Sequence, residues 1–165
     1  MIIRFFAILA LALVLSGCAT ESKFKKYVGP EVTRVIVLKE ARKMYLLHGN
    51  RALRSYDVAL GFEPEGHKVR YGDGKTPEGT YTIDRRNPRS AFHLSIGISY
   101  PNARDVAVAR RLGVDPGGNI FIHGESALGA LRGRDWTWGC IAVTNEEMEE
   151  IYAMVRDGTP ISIYR

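Results

Sequence analysis

Two side chains in the last third of the sequence, a histidine and a cysteine, have the types and spacing that nucleophilic catalysis needs. His123 closes the apolar run that starts at Ile120, and Cys140 follows 17 positions later, just before a second apolar run. A thiol becomes a good nucleophile when a neighbouring base takes its proton. His123 is the best-placed base in the sequence, so the pair predicts a cysteine enzyme that transfers acyl groups.

The residues around the pair fit the same chemistry. The intervening segment, residues 125–137, is polar and long enough to form a loop over a cleft and return Cys140 to His123. Gly139 lets a carbonyl substrate approach the backbone, and the amides of Gly139 and Cys140 are candidates for an oxyanion hole. The alternative, on these residues alone, is a structural histidine beside a cysteine that packs as a small buried side chain.

The N-terminus resembles an export signal followed by a lipid attachment site. Residues 1–17 contain Arg4, an apolar run too short to span a bilayer as a helix, and small residues before Cys18. This order resembles the bacterial lipoprotein box, so we expect cleavage before Cys18 and lipid on its thiol; the alternative is an ordinary signal peptide with an incidental cysteine. Several acyl chains would anchor the protein in the cell envelope or periplasm. Ala19 is compatible with sorting to an outer membrane.

Composition and charge limit the functional classes. The formal net charge is +5, and the scattered basic residues and absence of a known motif argue against nucleic-acid binding. A mild positive charge suits an anionic polymer or a membrane surface.

Removal of residues 1–17 leaves 148 residues, enough for one domain. We expect residues 18–30 to be the lipidated cysteine and a tether, and residues 31–165 to be the catalytic domain. With Cys18 lipidated, Cys140 has no partner for an intramolecular disulfide, which favours a chemical role for its thiol.

The hydrophobic periodicity predicts one mainly β domain with short helices. A glycine- and proline-rich loop over residues 61–79 divides an early meander of strands from the later ones. A helix is expected after the capping-box pattern of Thr144 and Glu147, and another over residues 103–112. The predicted strands cover residues 32–39, 44–48, 53–60, 80–85, 92–99, 120–123, 141–143 and 159–164.

At three places the sequence resembles the L,D-transpeptidase catalytic domain, often called YkuD-like. His123-Gly124 and, after a loop of suitable length, Thr137-Trp138-Gly139-Cys140 match the family's His-Gly and Ser/Thr-x-Gly-Cys signature. The segment Thr76-Pro77-Glu78-Gly79-Thr80-Tyr81 resembles its Thr-Pro-x-Gly-x-Tyr motif. The resemblance covers residues 30–165 and implies an L,D-transpeptidase-like β-sandwich of mostly antiparallel strands with two or three short helices.

The resemblance also implies roles for individual residues. Cys140 would attack the amide between diaminopimelate and D-alanine in a peptidoglycan tetrapeptide stem, and His123 would activate the thiol. The carbonyl of Gly124 would orient the imidazole. An acceptor amine, a D-amino acid or water would resolve the thioester, and a second stem as acceptor would give a 3-3 cross-link. Thr137 and Trp138 are candidate substrate-binding residues. No metal or organic cofactor is expected, and protein partners are not indicated.

One departure from the family pattern concerns the acceptor. Many members carry arginine or asparagine two residues after the cysteine, where this chain has Ala142. Some relatives are hydrolases that release proteins from peptidoglycan, so a cysteine hydrolase or amidase of the same fold is the alternative function. A non-catalytic peptidoglycan-binding lipoprotein is a further alternative, which the intact His123 and Cys140 oppose.

Overall fold

The computed structural model describes residues 22–125 and 133–165, in which eight strands and two helices form a mainly β domain. Neither helix in these ranges is long and apolar enough to cross a membrane. The predicted signal peptide and Cys18 lie outside the described residues. The elements are β1 (Arg34–Leu38), β2 (Lys43–His48), β3 (Arg51–Asp57), β4 (Gly79–Asn87), β5 (Ser95–Ile98), α1 (Ala103–Leu112), β6 (Ile120–His123), β7 (Ile141–Ala142), α2 (Asn145–Met154) and β8 (Pro160–Tyr164).

The strands form a curled mixed sheet in the order β3-β2-β1-β8-β4-β5-β6-β7. Most neighbours are antiparallel, but β1 runs parallel to β8 and β6 runs parallel to β7. β4 joins the two halves, because its first residues pair with β8 and its last residues pair with β5, with a register shift between Ile83 and Arg85. Such irregularities bend a strand. The predicted mainly β class with short helices is confirmed.

Helix α2 packs its apolar face against the half of the sheet that carries the histidine strand. Met148, Ile151 and Met154 are buried, and the helix contacts β5 and β6. Burial of each such side chain contributes about 1.5–3 kcal/mol. The predicted capping box is present: the Glu147 N–H donates to the Thr144 hydroxyl, and the Thr144 N–H donates to the Glu147 carboxylate. The helix therefore supports the strands from which the candidate site projects.

The glycine- and proline-rich loop is held in place by the buried side chain of Lys39. Its ammonium group donates to three oxygens within the loop, those of Gly66, Thr76 and Glu78. Burial lowers the pKa of Lys39, and the Glu78 carboxylate partly offsets this effect. Because buried charge is tolerated only when it is paired and hydrogen-bonded, the ammonium ties this loop to the end of β1.

Two predicted strands differ from their expected ranges by three residues at one end. The strand predicted over residues 92–99 begins only at Ser95, because His93 has a φ of +67° and interrupts the extended backbone. The strand predicted over residues 53–60 ends at Asp57, and beyond it Ala59 forms a single bridge to Ala142. In both places contacts with distant segments replace the regular ladder that local periodicity predicts.

Candidate active site

Strand pairing places Cys140 beside the histidine strand. Ile122 pairs with Ile141 and His123 pairs with Ala142 in the parallel β6–β7 ladder, so Cys140 lies opposite Phe121. Alternate residues of a strand share one face. The side chains of Phe121, His123 and Cys140 therefore belong to the same face, and all three line one cavity of about 310 Å³. The structure thus brings together the two residues that the sequence predicts to react.

The imidazole of His123 is buried and oriented by the backbone. Its Nδ1 lies 2.6 Å from the Gly124 carbonyl oxygen, and only 4% of the residue is exposed. Since a carbonyl oxygen can only accept, Nδ1 carries the proton and Nε2 keeps a free lone pair. Burial lowers the pKa of His123, an effect that the Gly124 carbonyl partly opposes. The residue is therefore neutral near pH 7, as a general base must be.

Gly124 is a glycine because the chain is crowded there. A Cβ at this position would lie 2.5 Å from the Asn145 side-chain oxygen and 3.0 Å from the Phe92 carbonyl oxygen. The Gly124 N–H donates to the carbonyl oxygens of Phe92 and Leu94. These contacts fix the peptide whose carbonyl orients His123.

Two aromatic rings flank the imidazole. The ring centroid of Phe92 lies 4.5 Å from that of His123, and the Trp136 centroid lies 5.7 Å away with its plane tilted by 65°. Phe92 and Trp136 also contact each other, with centroids 6.0 Å apart. These apolar rings exclude water from His123, which accounts for the burial that lowers its pKa. Trp136 therefore packs on the base, a contact that the sequence leaves undecided.

The thiol of Cys140 is protonated in its resting state. Burial raises the pKa of this thiol, while the Phe121 N–H and, by charge alone, Lys68 and Arg85 act in the opposite direction. The thiol donates to the Asn119 carbonyl oxygen, with an Sγ–O distance of 3.6 Å. Within the described residues it makes no hydrogen bond to His123. Catalytic hydrogen bonds often form fully only with substrate bound.

Asn119 is a site residue that sequence reasoning missed. Its backbone lies in the left-handed region, with a φ of +56°, which asparagine tolerates better than most residues. This conformation belongs to the turn before β6, and the Asn119 carbonyl is the acceptor for the thiol. The signal in the sequence was the Gly117-Gly118-Asn119 turn directly before the histidine strand.

Gly139 shapes the turn that presents the cysteine. Its φ is +116°, and a Cβ there would lie 2.5 Å from the Lys75 carbonyl oxygen. The expected pair of oxyanion-hole amides is only partly available: the Gly139 N–H donates to the Thr137 hydroxyl at 3.1 Å. The Cys140 N–H makes no hydrogen bond within the described ranges. Only the Cys140 amide is therefore free to donate to a substrate oxyanion.

The two candidate substrate-binding residues have different surroundings. Thr137 is 2% exposed, and its hydroxyl donates to the Cys140 carbonyl oxygen at 2.7 Å. Its hydroxyl therefore stabilises the turn before Cys140 and does not line the cavity. Trp138 is 69% exposed and packs edge-on against Phe62, with centroids 5.0 Å apart. Only Trp138 is accessible to a ligand in this conformation.

A partly buried ion pair contacts the segment that precedes Cys140. The sequence did not predict it. The Arg42 guanidinium contacts both carboxylate oxygens of Asp135, with an Nη2–Oδ2 distance of 2.8 Å. Asp135 also accepts the Leu60 N–H at 3.0 Å. Because the partners are 93 positions apart in the chain, no local sequence pattern predicts the ion pair. It joins the β1–β2 turn to the segment that leads into Cys140.

A second cavity, of about 490 Å³, lies beside the first. Ala142 and Trp136 line it, together with the charged side chains of Glu125 and Arg134. Trp136 contacts His123, so the tryptophan stands between this cavity and the base. Ala142, at the position where many members of the family carry arginine or asparagine, contributes only a small side chain to this lining.

Comparison with known proteins gives consistent results. The sequence profile of the YkuD family, described as the L,D-transpeptidase catalytic domain, matches residues 32–163. YafK of Escherichia coli K12, a provisionally named L,D-transpeptidase, is 30% identical over 146 residues, which cover 85% of this chain and 54% of that protein. The chain thus spans about half the length of the curated relatives it matches.

Solved structures share the fold. The helical cell shape determining protein Pgp2 of Campylobacter jejuni has a TM-score of 0.64 and 25% identity, covering 92% of this chain and 54% of that one. An L,D-transpeptidase from Mycobacterium smegmatis has a TM-score of 0.55 at 15% identity, covering 81% of this chain and 59% of that one. The second likeness is one of fold alone.

Proposed function

Because this chain belongs to the L,D-transpeptidase catalytic domain family, we propose that it is a cysteine acyltransferase acting on peptidoglycan stem peptides. The observation that carries the proposal is that Cys140 and His123 line one cavity, with the imidazole held in the tautomer whose Nε2 can accept a proton. A peptide-binding protein needs neither a thiol nor a base at that position.

The first half-reaction is acyl transfer to the enzyme. As a tetrapeptide stem binds, Cys140 Sγ forms a bond to the carbonyl carbon of the third residue and its proton passes to His123 Nε2. The bond from that carbon to the D-alanine nitrogen breaks, and His123 returns the proton to the departing amine. The products are a thioester and free D-alanine.

The developing oxyanion needs donors already in place. The Cys140 N–H is such a donor, because it makes no hydrogen bond with the described residues. One donor of this kind contributes about 3 kcal/mol to transition-state stabilisation. The Gly139 N–H joins it only after release from the Thr137 hydroxyl.

The second half-reaction resolves the thioester. His123 Nε2 removes a proton from the acceptor, the acceptor bonds to the acyl carbon, and the carbon–sulfur bond breaks to return the thiol. A side-chain amine of another stem gives a 3-3 cross-link, and water gives a free tripeptide. Both routes use the same two residues.

Hydrolysis is the second candidate, and the surroundings of Ala142 favour it. Ala142 lines the 490 Å³ cavity beside Trp136, and a larger polar side chain at this position would fill part of it. This cavity, lined in part by the charged side chains of Glu125 and Arg134, has room for water as well as for an amine. A cysteine hydrolase or amidase would therefore keep Cys140 and His123 in the same roles and differ only in the acceptor.

A role in the cell wall and a membrane anchor complete the proposal. Pgp2 is described as a helical cell shape determining protein, and we extend a contribution to wall shape to this chain. Lipid on Cys18 would hold the domain at an envelope membrane. The described residues begin four positions after Cys18, and four extended residues reach only about 14 Å. An anchored domain would thus lie close to the membrane surface.

The test is incubation of the full chain, in detergent micelles, with a disaccharide tetrapeptide and analysis of the products by mass spectrometry. We expect release of D-alanine with either a cross-linked dimer or a tripeptide; the dimer identifies a transpeptidase and the tripeptide a hydrolase. Cys18→Ser is the matched control and keeps turnover, whereas Cys140→Ser loses it. Unchanged turnover in Cys140→Ser would contradict the mechanism.

A further inference from the structure

The segment predicted as a tether contacts the wall of the cavity that contains Cys140. We call residues 22–30 the N-terminal strap. The Lys23 ammonium donates to the Pro88 carbonyl oxygen at 2.9 Å and to the His93 carbonyl oxygen at 3.0 Å. These two carbonyls stand near the two ends of the β4–β5 loop, residues 88–94. One lysine therefore closes this loop, although 65 and 70 positions separate it from its acceptors.

The β4–β5 loop forms much of the cavity wall. Ser90, Ala91 and Phe92 line the cavity together with Cys140 and His123. Phe92 is the loop residue whose ring packs on the imidazole at 4.5 Å, and its carbonyl oxygen accepts the Gly124 N–H. The loop therefore touches both the base and the peptide that orients the base.

The loop conformation depends on contacts from outside it. His93 has a φ of +67°, a conformation that is uncommon for residues other than glycine, and two other segments contact this residue. The strap supplies Lys23 to the His93 carbonyl. Helix α2 supplies Glu149 to the His93 side chain, with an Nε2–Oε1 distance of 2.8 Å, and Lys25 of the strap pairs with the same carboxylate at 3.1 Å.

Two aromatic side chains of the strap also contact the domain. Tyr27 packs against the hydrophobic core, and the Phe24 ring lies 6.3 Å from that of Tyr152 on helix α2. The segment that carries Lys23 to the loop is therefore itself packed on the domain. A free spacer between membrane and domain would make no such contacts.

We propose that the N-terminal strap is part of the active site, with Lys23 as a positioning residue that keeps Phe92 against His123. The proposal rests on the proposed function for its effect on turnover. Loss of Lys23 frees the β4–β5 loop, moves Phe92 off the imidazole and admits water to the base. The segment that leads to the predicted membrane anchor then also controls the geometry of the catalytic pair.

The experiment compares Lys23→Ala, Lys23→Arg and the control Lys26→Ala, an exposed lysine of the same strap, in the full chain carrying Cys18→Ser. Two readouts are used: turnover of a disaccharide tetrapeptide, and the pH titration of the His123 ring protons by NMR. We expect kcat of Lys23→Ala to fall by about tenfold or more, because small misplacements of catalytic groups have large effects on rate. The pKa of His123 in Lys23→Ala should rise towards that of an exposed histidine. In Lys23→Arg, both kcat and this pKa should return to the values of the parent protein.

The outcomes separate this proposal from the proposed function. If Lys23→Ala matches Lys26→Ala in both readouts, or Lys23→Arg fails to restore them, the strap does not position the site. If even the parent protein turns nothing over, the proposed function fails, while a shifted His123 titration in Lys23→Ala still supports the strap. Should Lys23→Ala not fold, Lys23→Met decides by the same comparison, since it keeps nearly the length of the side chain but neither its charge nor its hydrogen-bond donors.

Discussion

The Nδ1 atom of His123 donates to the carbonyl oxygen of Gly124 across 2.6 Å. This hydrogen bond joins neighbouring residues, yet it decides which imidazole nitrogen is the base. It leaves Nε2 unprotonated, and burial keeps the pKa of His123 low, so the base is present in its active form at neutral pH. Burial also raises the pKa of the Cys140 thiol. The resting pair is therefore a neutral thiol and a neutral imidazole rather than an ion pair.

The pH dependence of Cys140 alkylation tests this protonation state. Because the thiol pKa lies above its ordinary value, we expect the rate with iodoacetamide to keep rising with pH through about 9. A thiolate–imidazolium pair would instead react at a nearly constant rate from about pH 5 upwards. The rate is measured in the full chain carrying Cys18→Ser. A plateau in the acid range would contradict the neutral pair.

Removal of the base should slow the thiol. In His123→Ala we expect slower alkylation of Cys140 near neutral pH, since no imidazole is left to take the proton, and turnover lower by about 10²–10⁴-fold. His48→Ala is the control, because His48 is exposed and hydrogen-bonded only to the Glu31 carbonyl oxygen within the described residues. Equal alkylation rates in parent and His123→Ala would show that the two residues do not communicate.

Acidification should destabilise the fold through His123. Its folded pKa is lowered, so the unfolded chain binds a proton there more readily than the folded chain does. Stability is therefore undiminished above the unfolded pKa of about 6.5 and falls as the pH drops from that value towards the folded pKa. We measure the free energy of unfolding by urea denaturation across this pH range. It should fall more steeply with decreasing pH in the parent protein than in His123→Gln. Parallel curves would contradict the prediction.

Gly139 should not tolerate a side chain. Gly139→Ala combines a left-handed φ with a Cβ 2.5 Å from the Lys75 carbonyl oxygen. Gly158→Ala is the matched control, with a φ of +89° but no atom within 4 Å of the added Cβ. We expect about 1 kcal/mol of destabilisation in the control from the backbone alone, and more in Gly139→Ala, with loss of turnover. Thermal unfolding of both variants measures the difference, and equal values would show that the contact with Lys75 is unimportant.

The ion pair between Arg42 and Asp135 should contribute more to the stability of the fold than an exposed ion pair does. Their side chains are 17% and 14% exposed, so Asp135→Asn leaves a charged guanidinium without its partner. We expect a loss of about 1.5–3 kcal/mol and reduced turnover, because the segment leads into Cys140. Asp84→Asn removes a 40% and 34% exposed pair with Arg85 and should cost about 0.5 kcal/mol. Urea denaturation of both variants is the measurement; equal losses would contradict the assignment.

Much of the fold follows from local patterns. The strand over residues 120–123 and the helix over residues 103–112 lie where alternation and capping predict them. The strand that was predicted to begin at Phe92 shows the limit, because His93 has a left-handed backbone and contacts Lys23 and Glu149, which are distant in the chain. Local periodicity carries no information about such partners.

The sequence by itself singled out the candidate pair: His123, which ends an apolar run, and Cys140, which precedes one, each with a glycine beside it. Period-two alternation and motif spacing are local properties, so they can be read along the chain. The tertiary structure alone decided that the Gly139 amide is occupied, that Asn119 accepts the thiol proton, and that the strap reaches the active-site wall. The thiol contact joins residues 21 positions apart and the strap contact joins residues 65 positions apart, so these partners meet only after folding. The Gly139 contact is local, but it depends on the conformation of the turn between Thr137 and Cys140.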